Sequence, residues 1–182
     1  MKKIFQILLT TLISISLFAQ TKSIVDVATK SSANAVLKGG NFTVAVVVDI
    51  KKPWHINSWK PLDEFSIPTK LTIDESEQYE ITDIIYPDHE LVELSISDEP
   101  FALYEGEIII FIKGQTSGDI TENLILSGNL RYQGCNNTSC LPPEDAGVQL
   151  KLPVVTDIAQ INKINEDIFQ KYIAAAEPKE IT

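Results

Sequence analysis

Phe42-Thr-Val-Ala-Val-Val-Val-Asp-Ile50 is an almost unbroken run of β-formers, and Gly39-Gly40-Asn41 ahead of it supplies a turn. Branched and aromatic side chains fit a pleated surface, so this stretch predicts a strand. The pattern continues on both sides of it. Ser23 to Thr29 alternates Ile24 and Val25 with polar residues and predicts a first, weaker strand. Trp54 to Trp59, after Lys51-Lys52-Pro53, predicts another that opens into a loop around Pro61 to Phe65. Thr69 to Ile73 alternates cleanly, as a strand with one solvated face does. Tyr79 to Tyr86, Leu91 to Ile96, Glu107 to Lys113, Leu124 to Tyr132 and Val148 to Leu152 complete the series. Short strands punctuated by turn residues predict an all-β fold, a β-sandwich.

The ends differ from the middle. Lys2 and Lys3 precede an uncharged run from Ile4 to Ala19. A spanning helix needs ~20 apolar residues, and this run contains Gln6, Thr10, Thr11, Ser14 and Ser16. A basic start followed by a short apolar stretch predicts a signal peptide over 1–19, cleaved near Ala19. The mature chain is then expected to be exported, with no stable membrane insertion, in a compartment that permits disulfides. At the other end, Asp157 with Gln160 resembles a capping box, and Ile158, Ile161, Ile164, Ile168, Phe169 and Tyr172 recur at helical spacing. The expectation is an amphipathic helix over 158–175, in a tail spanning 156–182 after a domain spanning 20–155. Its apolar stripe would pack on the sandwich or dock a partner.

Charge excludes one class. Asp and Glu number 25 against 15 Lys and Arg, for a net charge of −10, which becomes −12 once Lys2 and Lys3 are lost. A nucleic-acid partner needs a basic face to replace phosphate counterions, and none is visible.

Cys135 and Cys140 are the only cysteines, within Leu130-Arg-Tyr-Gln-Gly-Cys-Asn-Asn-Thr-Ser-Cys-Leu-Pro-Pro-Glu144. An even count in an exported chain predicts one disulfide. The loop it closes is short, and short loops gain least from closure, on the order of 2 kcal/mol. Gly134 would leave the first sulfur uncrowded, Asn136 to Ser139 are turn formers, and Pro142-Pro143 stiffens the chain beyond the second sulfur. These residues leave three readings open. The bond exchanges with other thiols at a hairpin tip or sheet edge, it is a structural staple, or the thiols join His55 and His89 on a metal. The metal reading lacks the usual pairing of nearby histidines, and His89 has a solvated-loop setting after Pro87-Asp88. No metal and no cofactor are expected. Asn41, Asn136 and Asn137 begin Asn-x-Ser/Thr tripeptides, read here as chance matches.

Tyr132-Gln-Gly-Cys135, a short polar loop and Cys140-x-Pro142-Pro143-Glu144 together resemble the N-terminal periplasmic domain of the thiol:disulfide interchange protein DsbD. The wider likeness covers roughly residues 22 to 155. It includes Trp54-His-Ile before an Ile67-Pro-Thr strand, and Tyr104-Glu-Gly-Glu107 before the apolar strand Ile108 to Ile112. The resemblance implies an immunoglobulin-like sandwich whose Cys135 and Cys140 cycle between dithiol and disulfide. Cys140 would be the sulfur that forms a mixed disulfide with partners. It also implies a membrane-fed thiol electron donor and thioredoxin-fold periplasmic acceptors, including isomerases and cytochrome c maturation factors. In the family a cap loop with an aromatic side chain covers the bond; about Asp88 to Tyr104 corresponds, with Phe101 and Tyr104 as cap or wall candidates. His55 and Asn57 fall where family aromatics flank the site, and Tyr132 adjoins it. His55 would be placed to lower a thiol pKa or move a proton, the plain alternative being a strand histidine. The loop between the cysteines is one residue shorter than usual, and a family protein continues into membrane helices. This chain stops at Thr182 and is expected to act as a free-standing exchange module. The alternatives are a binding or adhesion sandwich with a structural disulfide, or a chaperone offering a sheet edge.

Overall fold

A computed structural model describes residues 23–170. The expected signal peptide and the tail beyond Gln170 lie outside the described residues. In chain order the strands are β1 (Val25–Ser31), β2 (Val36–Leu37), β3 (Asn41–Ile50), β4 (His55–Asn57), β5 (Lys70–Ile73), β6 (Tyr79–Ile85) and β7 (Glu90–Val92). They continue with β8 (Phe101–Tyr104), β9 (Glu107–Thr116), β10 (Leu124–Tyr132), β11 (Gly134–Cys135), β12 (Glu144–Leu152) and β13 (Val154–Val155). One sheet runs β1-β3-β9-β6, a second β12-β10-β5, and a third β11-β4-β8-β7. β13 and β2 form a short parallel pair.

The β-former run at 42–50 lies in β3, at the centre of the first sheet, paired antiparallel with β1 and β9. Val44, Val46 and Val48 sit opposite Ile112, Ile110 and Ile108, and all six enter the main core. Leu124, Leu126 and Leu130 of β10, Val148 of β12 and Leu71 of β5 close that core from the second sheet. Alternate residues of β3 and β9 face the other way, where Ala45, Ile109 and Phe111 form a second cluster. A strand buried on both faces reads as a continuous apolar run, which is what the sequence shows here.

Ile168 and Phe169 cover that second cluster, with the Phe111 and Phe169 rings 5.8 Å apart. The expected helix over 158–175 is corrected at its start. Asp157 does cap a helical turn, accepting from Ala159 N at 2.9 Å, but only a single 3-10 turn over Ile158–Gln160 forms. The chain then hydrogen bonds to the end of β1 and the segment after it. Asn162 N donates to Asn34 Oδ1, Ile164 N to Ser32 O, and Asn165 Nδ2 to Ser31 O, at 2.7, 3.0 and 2.9 Å. These tertiary bonds pull residues 161–165 out of helix, Asn165 takes a left-handed φ of 53°, and helical backbone begins at Glu166. The expectation for 171–175 lies outside the described residues.

Candidate functional site

β10 ends at Tyr132, and the chain crosses at Gln133 from the second sheet to the edge of the third. There β11 pairs with β4, placing Gly134 opposite Ile56 and Cys135 opposite His55. The chain turns back at once. Leu141 N donates to Gly134 O at 2.8 Å and Asn136 N to Ser139 O at 2.9 Å. The Asn136 side-chain oxygen accepts from Thr138 N, Thr138 Oγ1 and Ser139 N at 2.8, 2.9 and 3.0 Å. Asn makes such turns because its short carbonyl reaches its own backbone two and three residues on. This turn brings the two sulfurs together, and Cys135 and Cys140 are disulfide-bonded.

The two halves of the bond have different surroundings. Cys135 is 1% exposed and packs with Leu94 and Leu103, flanked by Val92 and Phe101. Cys140 is exposed. It borders an open cleft of about 560 Å³ lined by Gln133, Leu62, Phe65, Pro100 and Phe101. Leu62 and Phe65 are 62% and 82% exposed, an apolar lip beside the accessible sulfur. The Asp63 side chain shapes that lip by accepting from Phe65 N, Ser66 N and Ser66 Oγ. Above all the Ser66 hydroxyl holds the Asp63 carboxyl below its usual range.

Gln133 ties the cleft to the sheet. Its Oε1 accepts from Asn57 Nδ2 at 3.1 Å and Ile67 N at 3.2 Å, and its Nε2 donates to Leu141 O at 3.1 Å. One side chain thus fixes the loop bearing Phe65 and the segment just after Cys140. Sequence reasoning misses this role, although Gln133 stands inside the Tyr-Gln-Gly-Cys motif. A polar side chain between two buried strand residues is the available signal.

The other candidates separate. Phe101 lies at the Cys140 cleft, where a wall residue is expected. Tyr104 does not: it is 2% exposed in the main core, and its hydroxyl donates to Pro87 O at 3.1 Å. Tertiary burial of β8 between β4 and β7 overrides the cap expectation for it. Asn57 is 1% exposed and supports Gln133 from beneath. Tyr132 is 2% exposed and donates to Glu144 Oε2 at 2.8 Å, joining the two ends of the cysteine motif. His55 faces Glu105 across 3.0 Å from its Nε2. His89 is exposed, and among the described residues no group of His, Cys, Asp and Glu gathers as a metal site. The expectation for Gly134 is also corrected. It is buried, and a side chain there would meet Ile24 at 2.1 Å, so glycine serves close packing behind the hairpin and not access to the sulfur.

Burial, as the largest cause, pushes the pKa of both Tyr104 and Tyr132 up to about 12. An unfolded tyrosine ionises near ~10, so the folded state holds these protons more tightly. The associated stability is intact below about pH 10 and is lost as pH rises through about 12. Urea midpoints are therefore expected to fall between about pH 9 and about pH 11.5, and to fall less in Tyr132→Phe. An unchanged midpoint would contradict the assignment.

Residues 22–152 match the family described as the N-terminal part of the thiol:disulfide interchange protein DsbD. The chain belongs to this family. Members transfer electrons by thiol–disulfide exchange, and the sandwich is of their immunoglobulin-like type. No curated protein matches the sequence. Among solved structures, the N-terminal periplasmic domain of ScsB from Proteus mirabilis aligns with a TM-score of 0.55 and 17% identity. The alignment covers 87% of this chain and 56% of that one, so this chain spans little more than half of that structure. The reduced N-terminal domain of Neisseria meningitidis DsbD aligns at 0.41 and 16%, over 70% of this chain and 85% of that one. A cohesin module from a Clostridium perfringens family 33 glycoside hydrolase aligns at 0.45 and 7%, over 74% and 100%. Among the described residues no helix is long and apolar enough to cross a membrane.

Proposed function

We propose that Cys140 is the entry point of the exchange reaction and that its partners are thioredoxin-fold proteins of the periplasm. The observation that carries this is the asymmetry of the bond, with Cys140 exposed at an open cleft and Cys135 1% exposed beneath Leu94. Disulfide exchange proceeds when a thiolate attacks one sulfur and expels the other. A partner thiolate entering the cleft forms a bond to Cys140 Sγ, and the electron pair of the old bond leaves on Cys135 Sγ. The partner's second thiol then attacks its own first sulfur and releases Cys140, leaving a dithiol here and a disulfide there. Run backwards, the same steps reduce an oxidised acceptor. A membrane-embedded thiol donor supplies the electrons. The basic and apolar start of the sequence and the periplasmic origin of the ScsB domain support that compartment.

The apolar lip gives the partner its footing. A few anchor side chains, aromatic ones above all, carry most of the energy of such contacts. Mixing the oxidised chain with a reduced thioredoxin-fold protein is expected to transfer the disulfide, read as alkylated thiols by mass. Leu62→Ser with Phe65→Ser is expected to slow that transfer by about tenfold, as loss of one anchor contact of ~1.4 kcal/mol would do. Reduction by dithiothreitol, which needs no footing, stays at the unsubstituted rate. No transfer to any thioredoxin-fold protein tried, or equal slowing with dithiothreitol, would refute the reading.

A further inference from the structure

His55 carries an unmet polar atom. Its Nε2 is 3.0 Å from Glu105 Oε2, while its Nδ1 is buried without a hydrogen-bond partner. A buried imidazole nitrogen left unpaired costs stability, so its retention invites a cause. Cys135 is its direct partner across the β11–β4 ladder. Ladder partners share a face of the sheet, with Cβ atoms about 4.5–5.5 Å apart. A disulfide sulfur has no proton to give, so the bonded Cys135 cannot satisfy Nδ1. A thiol can.

The chemistry at Cys135 needs a proton carrier. When a partner attacks Cys140, the electron pair arrives on a sulfur that is 1% exposed among Leu94, Leu103 and Phe101. A thiolate buried in apolar surroundings is disfavoured. Water reaches it poorly, and the titratable side chains that line the cleft holding His55 are Lys52, Glu90 and Glu105. Glu105 is held there by the tight turn between β8 and β9, where Gly106 takes a φ of 61°. A carboxylate on one ring nitrogen fixes the orientation of the imidazole, the logic of a base oriented by a third group.

We propose that Glu105, His55 and Cys135 form a proton relay for the buried half of the disulfide. The inference rests on exchange at Cys140. As the partner sulfur bonds to Cys140 Sγ and the Cys135–Cys140 bond breaks, imidazolium Nδ1–H passes its proton to the departing Cys135 sulfur. The product is a neutral thiol beside a neutral imidazole, whose bare Nδ1 is then the acceptor for the Cys135 S–H. In the outward reaction a mixed disulfide stands between Cys140 and the acceptor. Nδ1 takes the Cys135 proton as that sulfur attacks Cys140 Sγ, the disulfide closes, and the acceptor leaves with the electron pair on its own sulfur.

The test compares reduction of the oxidised chain by dithiothreitol with that of His55→Gln, which keeps a donor toward Glu105 and lacks the Nδ1 position. Rates are read by quenched alkylation and mass from about pH 5.5 to about pH 8.5, spanning the range where an imidazole changes charge. Taking the ratio of the two rates cancels the ionisation of the reductant. The ratio is expected to be about tenfold at the acid end and to approach one at the alkaline end. That is below the usual general-acid factor because a thiolate is already a competent leaving group. Glu105→Gln, altered at an exposed side chain, is expected to slow the acid-end rate by a smaller factor. A ratio of one throughout, or a ratio constant with pH as a packing defect would give, overturns the relay while leaving exchange standing. If dithiothreitol leaves the native disulfide untouched at every pH, exchange and relay fall together.

Discussion

Cys135→Ser is expected to capture a thioredoxin-fold partner as a stable mixed disulfide, and Cys140→Ser is expected not to. In the first variant the remaining thiol is exposed at the cleft between Phe65 and Phe101. In the second it is 1% exposed under Leu94 and Leu103. Reaction there must wait for a local opening that uncovers Cys135. If that opening costs about 3 kcal/mol, the accessible fraction falls about a hundredfold. Alkylation of the two single-cysteine proteins by the same reagent measures the difference directly, and trapping with a resolving-cysteine-free partner measures its consequence. Equal alkylation rates, or capture by Cys140→Ser in preference to Cys135→Ser, would reverse the roles assigned to the two sulfurs.

Leu130→Ala is expected to cost about 2–5 kcal/mol of folding stability, as buried leucines do when a cavity is left. Leu130 is fully buried in the central strand of the second sheet, between Ala146 of β12 and Leu71 of β5. It also sits two residues before Tyr132, whose hydroxyl holds Glu144 on the far side of the cysteine hairpin. The denaturant midpoint should drop with little change in slope. The reactivity of Cys140 should not change, because the turn that presents it is held by Asn136 and Gln133. A loss under about 1 kcal/mol would mean that the two sheets do not close on this side chain as described.

Much of the fold is legible in the sequence. β10 spans Leu124–Tyr132, the bounds its alternation predicts, and β3 differs from its predicted start by one residue. Both are long, and one or both faces are buried, so their periods are clear. The two-residue strands β2, β11 and β13 are too short to leave a period. β8 is obscured because it lies within Asp88 to Tyr104, the stretch that the resemblance implies is a cap loop. The C-terminal periodicity is real for Ile168 and Phe169, which do pack on the sheet. It misplaces the helix start because hydrogen bonds from Asn162, Ile164 and Asn165 to a distant segment do not register in local spacing.

At the site, sequence locates the cysteine pair and its hairpin, and the resemblance singles out Cys140, but the inequality in burial of the two sulfurs is not legible. That inequality comes from Leu94 and Leu103, which lie far from the motif and reach it only through the β11-β4-β8-β7 pairing. In the sequence Phe65 falls in a loop with no role, and only the fold brings it to the same cleft as Phe101 and Cys140. Gln133 needs the fold as well, since its partners at 57, 67 and 141 converge only in three dimensions.

The central claim is that the Cys135–Cys140 bond opens and closes in the folded protein. A titration in dithiol–disulfide buffers, with free thiols counted by mass and folding followed by circular dichroism in the same samples, tests it most directly. The expected result is reversible reduction with a midpoint above about −300 mV, the level below which structural disulfides usually lie, and with the sandwich intact. A midpoint below that level, or reduction only in samples that have unfolded, would contradict it.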